Sequence, residues 1–353
     1  MTIGLSKFAA SWQSAALCIA IGVALLVGLP SVIDDYTLIE VTIYLVMSML
    51  AVSLGFIWGF GGILCFGQAA FFGLGSYTYA VAVVNMGDST VPFLLSIAVP
   101  ALFAALLGYV IFYGRLSDVY MGVITLTVTL ILFNLINSTA GPEWKIGSAP
   151  LGGFNGIPAI PPLNWPGNTD EVITPRGMFN LSFGLLIAVY AGLRVLIASR
   201  IGHVIVAIKE NEQRAQLLGY DARAYKLFAF TLGGAIAGLA GCLFANWGSF
   251  TSPTIFGLAQ SAQIIIWVIV GGLGTLVGPV VGCVLIQWLT TQIGTQQAFN
   301  SNLVLGTILV LFVLLVPKGL VPSLGDVVGR LWTRRPREAR EPQVAARVEE
   351  RQA

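Results

Sequence analysis

The chain is poor in charge, and this scarcity excludes most classes of soluble protein. Of its 353 residues only 10% are charged, whereas 56% are hydrophobic. Soluble domains carry roughly 25% charged residues. A β-barrel is also excluded, because its strands would alternate in hydrophobicity and the apolar runs of this chain do not. The sequence therefore predicts a multi-span α-helical membrane protein.

Groups that carry out chemistry are equally scarce. His203 is the single histidine, and the four cysteines stand alone in apolar runs without metal-ligand spacing. No Ser/His/Asp set can be proposed, and the glycine-rich P-loop pattern that binds ATP phosphates is absent. Glu40, near a span end, is the one carboxylate close to hydrocarbon, so the charged relay of a secondary carrier is missing. We expect no catalytic residue, metal or cofactor on this chain, and an energy source outside it.

Apolar runs of spanning length predict an all-α polytopic fold with about ten transmembrane helices. The run at 12–29, ended by Pro30, is expected to be a retained span and not a cleaved signal peptide. The later runs cover 38–58, 59–84, 91–113, 119–137, 178–197, 227–247, 262–270 with a continuation to 290, and 303–316. About eight spans remain possible if 262–290 forms a re-entrant pair.

The membrane domain is expected to cover 1–329, followed by a disordered tail at 330–353. Two polar intervals interrupt it: 138–177, rich in Gly, Pro and Trp, and 199–226, which holds five basic residues. Because Lys and Arg concentrate in cytoplasmic loops, we expect 199–226, Arg115, Lys318 and the tail in the cytoplasm and 138–177 outside. Both termini are then cytoplasmic. The net charge of +2 is spread over loops and tail, and no nucleic-acid partner is expected.

Glycine-rich stretches interrupt the apolar runs at 59–75 and 271–282. They correspond if spans one to five and six to ten are pseudo-repeated halves, and paired broken helices are typical of transport pathways built from inverted repeats. The alternatives are that the glycines only allow close helix packing and that the nearby aromatic side chains face lipid. The pathway interpretation predicts a substrate path bordered by Gln68, Phe71, Phe72, Tyr77 and Asn134.

The interval 199–226 predicts a short exposed helix between two spans. Its middle, 207–218, would place Ile208, Ala215 and Leu218 on one face, ready to enter a groove on a partner. Glu210 and Arg214 would pair at i,i+4 on another face.

The end of this helix is also marked in the sequence. Gly219 is expected to end it in the left-handed conformation, and Asp221 to cap the helix that follows. We expect this helix to contact a separate ATPase, and the alternative is a solvated loop whose charges only set topology. The residues predicted to carry the contact are Glu210, Glu212, Arg214, Leu218 and Gly219.

Several sequence blocks, taken in order, resemble one family of transport proteins. They are GILCFGQAAFFGLGSY (62–77), VYMGVITLTVTLI (119–131), LGGFNGI (151–157), AIKENEQRAQLLGYDARAYKLFAF (207–230), AGLAGCLFA (237–245) and GGLGTLVGPVVG (271–282). Along nearly its whole length the chain resembles LivM-type permease subunits of ABC importers for branched-chain amino acids.

This resemblance implies a bacterial inner-membrane subunit embedded in the lipid bilayer. Its implied partners are a second related permease, two cytoplasmic ATPase subunits that bind the ATP, and a periplasmic solute-binding protein. Cys65, Gln68, Leu151 and His203 depart from the residues usual in the family, which leaves a urea or short-chain amide importer as an alternative. A stand-alone channel or a secondary carrier is the alternative of a different class.

Overall fold

The computed structural model describes residues 2–114, 116, 118–141, 143–165, 168–294, 306–307 and 319–324. Within these residues the chain is a helical bundle, which confirms the predicted all-α polytopic fold. The helices are α1 (Thr2–Val32), α2 (Asp35–Gly59), α3 (Gln68–Met86), α4 (Thr90–Tyr113), α5 (Asp118–Asn137), α6 (Pro175–Ala198), α7 (Arg200–Glu210), α8 (Glu212–Leu217), α9 (Ala222–Gly248), α10 (Leu258–Gly271) and α11 (Val277–Gly294).

The helices differ in length and in burial. Helices α2 to α6 and α9 are long and apolar enough to cross a bilayer, and α1, α10 and α11 contain shorter apolar segments. Buried surface is greatest on α2, α3 and α9, whereas α4, α5 and α6 turn most of their surface outward. The core therefore lies between α2, α3 and α9. Helix α1 continues through Pro30 to Val32, so the proline lies in its last turn and does not end it as predicted.

Short antiparallel strands gather at one end of the bundle, which we call the hairpin end. Two side-chain contacts attach helix ends to this region: the Asn85 amide donates to the Ile146 carbonyl at 2.8 Å, and Arg176 pairs with Asp35 at 2.8 Å. The strand pairs are β1 (Lys145–Ile146) with β2 (Ala149–Pro150), β3 (Ile157–Pro158) with β6 (Phe250–Thr251), and β4 (Asn164–Trp165) with β5 (Asn168–Val172).

Asn164 fastens the turn between α3 and α4 to the hairpin end. Its Oδ1 accepts a hydrogen bond from the Ser89 backbone N–H at 2.9 Å, and its Nδ2 donates to Asp88 Oδ1 at 3.1 Å. The bond from the Asn164 amide is the largest of the effects that hold the pKa of Asp88 below its ordinary value. The hairpin end is thus joined to the helices by side chains as well as by strands.

The opposite end of the bundle, which we call the charged end, carries α7 and α8. The end of α2 lies there too, as a hydrogen bond from Lys209 Nζ of α7 to the carbonyl of Gly59, the last residue of α2, shows; its length is 2.8 Å. Helix α4 ends and α9 begins there, because the Arg223 guanidinium lies 5.9 Å from the centre of the Tyr113 ring. The turn between α10 and α11 also lies there, since a Cβ atom added at Gly59 would be 3.0 Å from the nitrogen of Gly274.

The stretch from β6 to Gly271, which includes α10, runs from the hairpin end to the charged end. Helix α10 has only 14 residues, and a 3₁₀ turn at Pro253–Phe256 precedes it. Helix α11 then returns, since the Tyr44 hydroxyl, in the hairpin half of α2, donates to Thr291 Oγ1 at 3.0 Å. A re-entrant pair would not reach the opposite end, so among the described residues α10 and α11 each run between the two ends of the bundle.

Several predicted features fall largely outside the described residues. They are the last span, of which only 306–307 are described, the side chain of Arg115, Lys318 and the tail at 330–353. Gly319 is described, and it lies against Gly272 at the charged end.

The breaks in the helices are shorter than the glycine content predicts. In the first stretch only 60–67 is non-helical, because Gly73 and Gly75 lie inside α3. There they allow close approach to Phe256 and to the α9 backbone at Gly238. In the second stretch only 272–276 is non-helical, and it is a turn at the charged end.

The counterpart of the break at 60–67 is the stretch 249–257, so the predicted correspondence with 271–282 is wrong. Each of the two stretches enters the bundle from one end and leads into a helix whose first residue follows a Phe-Gly pair: Phe66–Gly67 before α3 and Phe256–Gly257 before α10. Helix α3 packs on α4 and α9, and α10 packs on α11 and α2. The neighbours of α10 thus correspond to those of α3, the arrangement expected between two inverted halves.

Candidate functional site

The coupling segment, residues 199–226, folds as two short helices and not as one. Asn211 interrupts the predicted helix 207–218, because its backbone is extended (φ −159°, ψ 99°) and its side chain caps α8 by accepting from the Arg214 N–H. The predicted Glu210–Arg214 pair therefore cannot form across a continuous helix. Glu212 pairs instead with Lys226 at the start of α9, at 2.6 Å.

The two faces of the coupling segment also differ from the prediction. Ile208 and Ala215 are each 3% exposed, and they pack with Val204 inside the segment, so they are not available to a partner. Leu217 and Leu218 are 87% and 78% exposed. The error follows from the assumed continuous helix: the interruption at Asn211 lets α8 fold back on α7, so Val204 and Ile208 cover Ala215.

Gly219 has the predicted left-handed conformation, with φ of +90°. The Gly219 N–H donates to the Gln216 carbonyl at 2.9 Å, and the Tyr220 N–H donates to the Ala215 carbonyl at 3.2 Å. This pair of bonds is the Schellman arrangement that ends many helices. Asp221 then caps α9 by accepting from the Arg223 N–H, also as predicted. The sharp turn at Gly219 presents the exposed leucines at the charged end.

Lys209 is a functional candidate that the sequence reasoning missed. It was counted only as one of the charges that set topology, yet its side chain crosses to the last residue of α2. Gly59 lies 150 positions earlier in the chain, so no local pattern signals this contact.

The predicted path residues on α3 are buried among helices. Gln68 donates from Nε2 to Ser53 Oγ of α2 at 2.7 Å and to the Gly233 carbonyl of α9 at 3.2 Å. Phe71 and Phe72 are each 0% exposed and contact phenylalanine rings of α4 and α9. These contacts place the three side chains inside the packing of this subunit.

Tyr77 and Asn134, the remaining predicted path residues, lie in different settings. The Tyr77 ring is 5.7 Å from the Phe256 ring in the break before α10, and its hydroxyl has no partner among the described residues. Asn134 lies on the exposed face of α5, where its Nδ2 donates to the Leu130 carbonyl of its own helix at 2.9 Å. The structure therefore does not bring all five predicted path residues together.

Polar side chains mark the exposed face of α5. Thr127 on this helix and Ser138, the residue that follows its last one, are exposed together with Asn134. Their hydroxyls donate to carbonyls of their own helix, at 2.9 Å and 2.8 Å respectively. Polar residues in membrane helices usually face a cavity or another protein. This face was represented in the sequence analysis by Asn134 alone.

Irregular stretches that lead into two helices of a membrane bundle are typical of transport pathways, so the fold agrees with a membrane transport subunit. The family described as "Branched-chain amino acid transport system / permease component" matches residues 36–315. The chain belongs to this family and is a permease subunit of an ABC importer, not an enzyme.

Named relatives agree with this family. The chain is 29% identical over 327 residues to the "High-affinity branched-chain amino acid transport system permease protein LivM" of Escherichia coli K12, covering 84% of this chain and 73% of the relative. It is 29% identical over 310 residues to the protein of that name from Salmonella typhimurium LT2, covering 80% and 69%. A shorter match, 34% over 111 residues, covers 31% of this chain and 32% of the "Autoinducer 2 import system permease protein LsrC" of Escherichia coli O9:H4. No solved structure matches the chain significantly.

Proposed function

We propose that this chain forms the membrane-spanning part of an ATP-driven importer for branched-chain amino acids. The observation that carries the proposal is the coupling segment, a capped helix pair projecting from a bundle whose helices are broken in two equivalent places. The family description and the LivM relatives support the substrate class. Cys65 and Gln68, which depart from the family pattern, are 0% and 1% exposed, so they do not favour a urea or amide importer.

A second, related permease subunit would complete the substrate path against the exposed face of α5. Thr127, Asn134 and Ser138 would then face the path or the partner and not lipid. The α3 break lies behind this face, because Gly67 approaches the Thr125 backbone. In this arrangement Gln68, Phe71 and Phe72 support the path from behind.

Two cytoplasmic ATPase subunits would bind the ATP, one against each permease. On this chain the contact would be Leu217 and Leu218 at the centre, with Glu210, Glu212 and Arg214 around them. Exposed charge pairs contribute only about 0–1 kcal/mol each, so the leucines would provide most of the affinity and the charges the register.

The charged end would face the cytoplasm of a bacterial cell and the hairpin end the periplasm, where a solute-binding protein would dock. The placement of Lys and Arg supports this orientation in the inner membrane. Single cysteines at Gln213 and Asn168, in a chain without the native cysteines, should react with an impermeant maleimide from opposite sides. Labelling of both positions from the outside would contradict the orientation.

Replacement of Gly219 by valine tests the docking role directly. A β-branched residue at φ of +90° should cost about 1–2 kcal/mol, which corresponds to roughly a 5–30-fold loss of docking competence. We expect Gly219→Val to insert normally and to lower ATP hydrolysis stimulated by loaded binding protein in proteoliposomes. Gly219→Asn is the matched control, because asparagine tolerates the left-handed region.

Full stimulated hydrolysis and full leucine uptake by Gly219→Val would show that the coupling segment only sets topology. Uptake assays with labelled leucine and labelled urea in the same vesicles distinguish the substrate classes. Uptake of urea without leucine would contradict the proposed substrate while leaving the docking role intact.

A further inference from the structure

We infer that Lys209 is the positioning residue that transmits movement of the coupling segment to the helix breaks. This inference rests on the proposed function, because it requires an ATPase bound to residues 212–220. Lys209 lies in the last turn of α7, just before the Asn211 interruption. Its ammonium group donates to the Gly59 carbonyl at 2.8 Å.

The bond from Lys209 completes the end of α2. The last carbonyls of a helix have no partner within it, and here Ile57 and Trp58 accept from the N–H groups of Ile63 and Gly62 in the break. Lys209 satisfies the carbonyl of Gly59, and a positive charge is favourable at this end of the helix dipole. A residue of the coupling segment therefore acts as a C-terminal cap for a membrane-spanning helix.

Lys209 also contacts the break sterically. Gly62 has φ of +69°, and a Cβ atom added there would lie 2.8 Å from Lys209 Cγ and 3.3 Å from Lys209 Cβ. The stem of Lys209 thus rests directly on the irregular stretch that leads into α3. On its other side, Gly59 approaches Gly274 in the turn between α10 and α11.

The coupling segment is packed as one unit. Val204 and Ile208 of α7 pack against Ala215 and Ala222, which belong to α8 and α9. The Glu212–Lys226 ion pair closes the same unit. A displacement at the exposed leucines would therefore reach Lys209, and through it the end of α2, the α3 break and the α10–α11 turn.

The test compares Lys209→Met with Lys209→Arg in the complete importer in proteoliposomes. Met keeps an apolar stem of similar length without a donor, whereas Arg keeps both charge and donor. The quantity to measure is the number of leucine molecules imported per ATP hydrolysed. For Lys209→Met we expect this ratio to fall about tenfold, because one charged hydrogen bond is lost. Stimulated ATP hydrolysis should stay within about twofold of wild type. Lys209→Arg should retain the ratio.

Gly62→Ala disturbs the same contact from the other side without changing any charge. Gly62→Ala should also lower the number of leucine molecules imported per ATP. The double variant with Lys209→Met should be no worse than the more affected single variant, because both substitutions act on the same contact. An unchanged ratio in Lys209→Met, or in Gly62→Ala if the Met variant fails to assemble, would overturn the inference. Multiplying effects in the double variant would also overturn it.

The measurements distinguish failure of this inference about Lys209 from failure of the proposed function. If Gly219→Val loses stimulated ATP hydrolysis while Lys209→Met keeps the wild-type ratio of leucine imported to ATP hydrolysed, the docking role of the coupling segment is supported and the role of Lys209 is refuted. If neither variant changes hydrolysis or uptake, the docking role itself is refuted.

Discussion

The two irregular stretches that lead into α3 and α10 occupy equivalent places in the bundle and both contact α5, but their outer ends are held by different parts of the chain. Lys209 of the coupling segment caps the helix before the first stretch, 60–67, and Thr125 of α5 accepts a bond from the Phe66 N–H at 3.2 Å. The second stretch, 249–257, is held at the hairpin end, where its strand β6 pairs with β3.

Each break is therefore attached at one end of the molecule: the stretch 60–67 at the charged end and the stretch 249–257 at the hairpin end. With the partners in the places proposed, the ATPase would act on the break before α3 and the solute-binding protein on the break before α10. Helices α3 and α10 pack on corresponding neighbours, yet the attachments of the two breaks are not repeated. A pseudo-symmetric bundle can in this way respond separately to events on the two sides of the membrane.

The inner ends of both breaks carry buried polar atoms without a partner among the described residues. Gln68, the first residue of α3, bonds from Nε2 to two neighbouring helices, but its Oε1 accepts no hydrogen bond there. In the first turn of α10, Gln260 Nε2 and Ser261 Oγ are buried without a partner among those residues. Because unsatisfied buried polar groups cost free energy, both breaks carry such a cost at their inner ends.

The largest expected difference between the breaks concerns the glycine that precedes each helix. A Cβ atom at Gly67 would lie against the backbone of Thr125 on another helix, whereas one at Gly257 would meet only the Thr254 carbonyl of its own turn, at 2.8 Å. Gly67→Ala should therefore destabilise the protein by about 3 kcal/mol and Gly257→Ala by about 1 kcal/mol. Thermal denaturation of the detergent-solubilised protein measures both. Equal losses would mean that the two breaks are packed alike.

A smaller difference is expected at the first residue of each helix. Gln68→Leu removes two buried hydrogen bonds and should cost about 2 kcal/mol. Leu258 is 58% exposed, so the matched control Leu258→Gln should change stability by less than about 0.5 kcal/mol.

The same Gln68 variant separates a path role from a packing role. Leucine uptake, normalised to assembled importer, should fall at unchanged stability if Gln68 borders the path. A loss that follows the lowered stability would place Gln68 in the packing between α2, α3 and α9. Unchanged uptake and stability would contradict both interpretations.

Features encoded by neighbouring residues were predicted well from the sequence. Long apolar runs identified the membrane helices, because hydrophobic length alone determines them. Gly219 and Asp221 marked a helix end and a helix start, since both signals act through local backbone bonds. Asn211 carried an equally local signal, a helix-capping side chain, but the expected continuous helix concealed it.

Features formed by distant residues could not be predicted in this way. The break before α10 contains Pro253 and few glycines, so the glycine content that marked 59–75 does not mark it. The bond between Lys209 and Gly59 depends on how α7 folds back on the end of α2, which no spacing in the sequence reveals. The burial of Gln68, Phe71 and Phe72 likewise follows from the packing of α9 and α4 against α3.

The exposed leucines at the tip of the coupling segment have a consequence for the synthesis of this protein. Leu217 and Leu218 are 87% and 78% exposed in a part of the chain that lies outside the predicted spans. Adjacent apolar side chains left uncovered are sites of aggregation. If an ATPase covers these leucines as proposed, a subunit made in excess of it would keep them open to chaperones and proteases. Its abundance in the cell should then follow that of the ATPase, and co-expression should raise the yield of monodisperse protein after extraction in detergent.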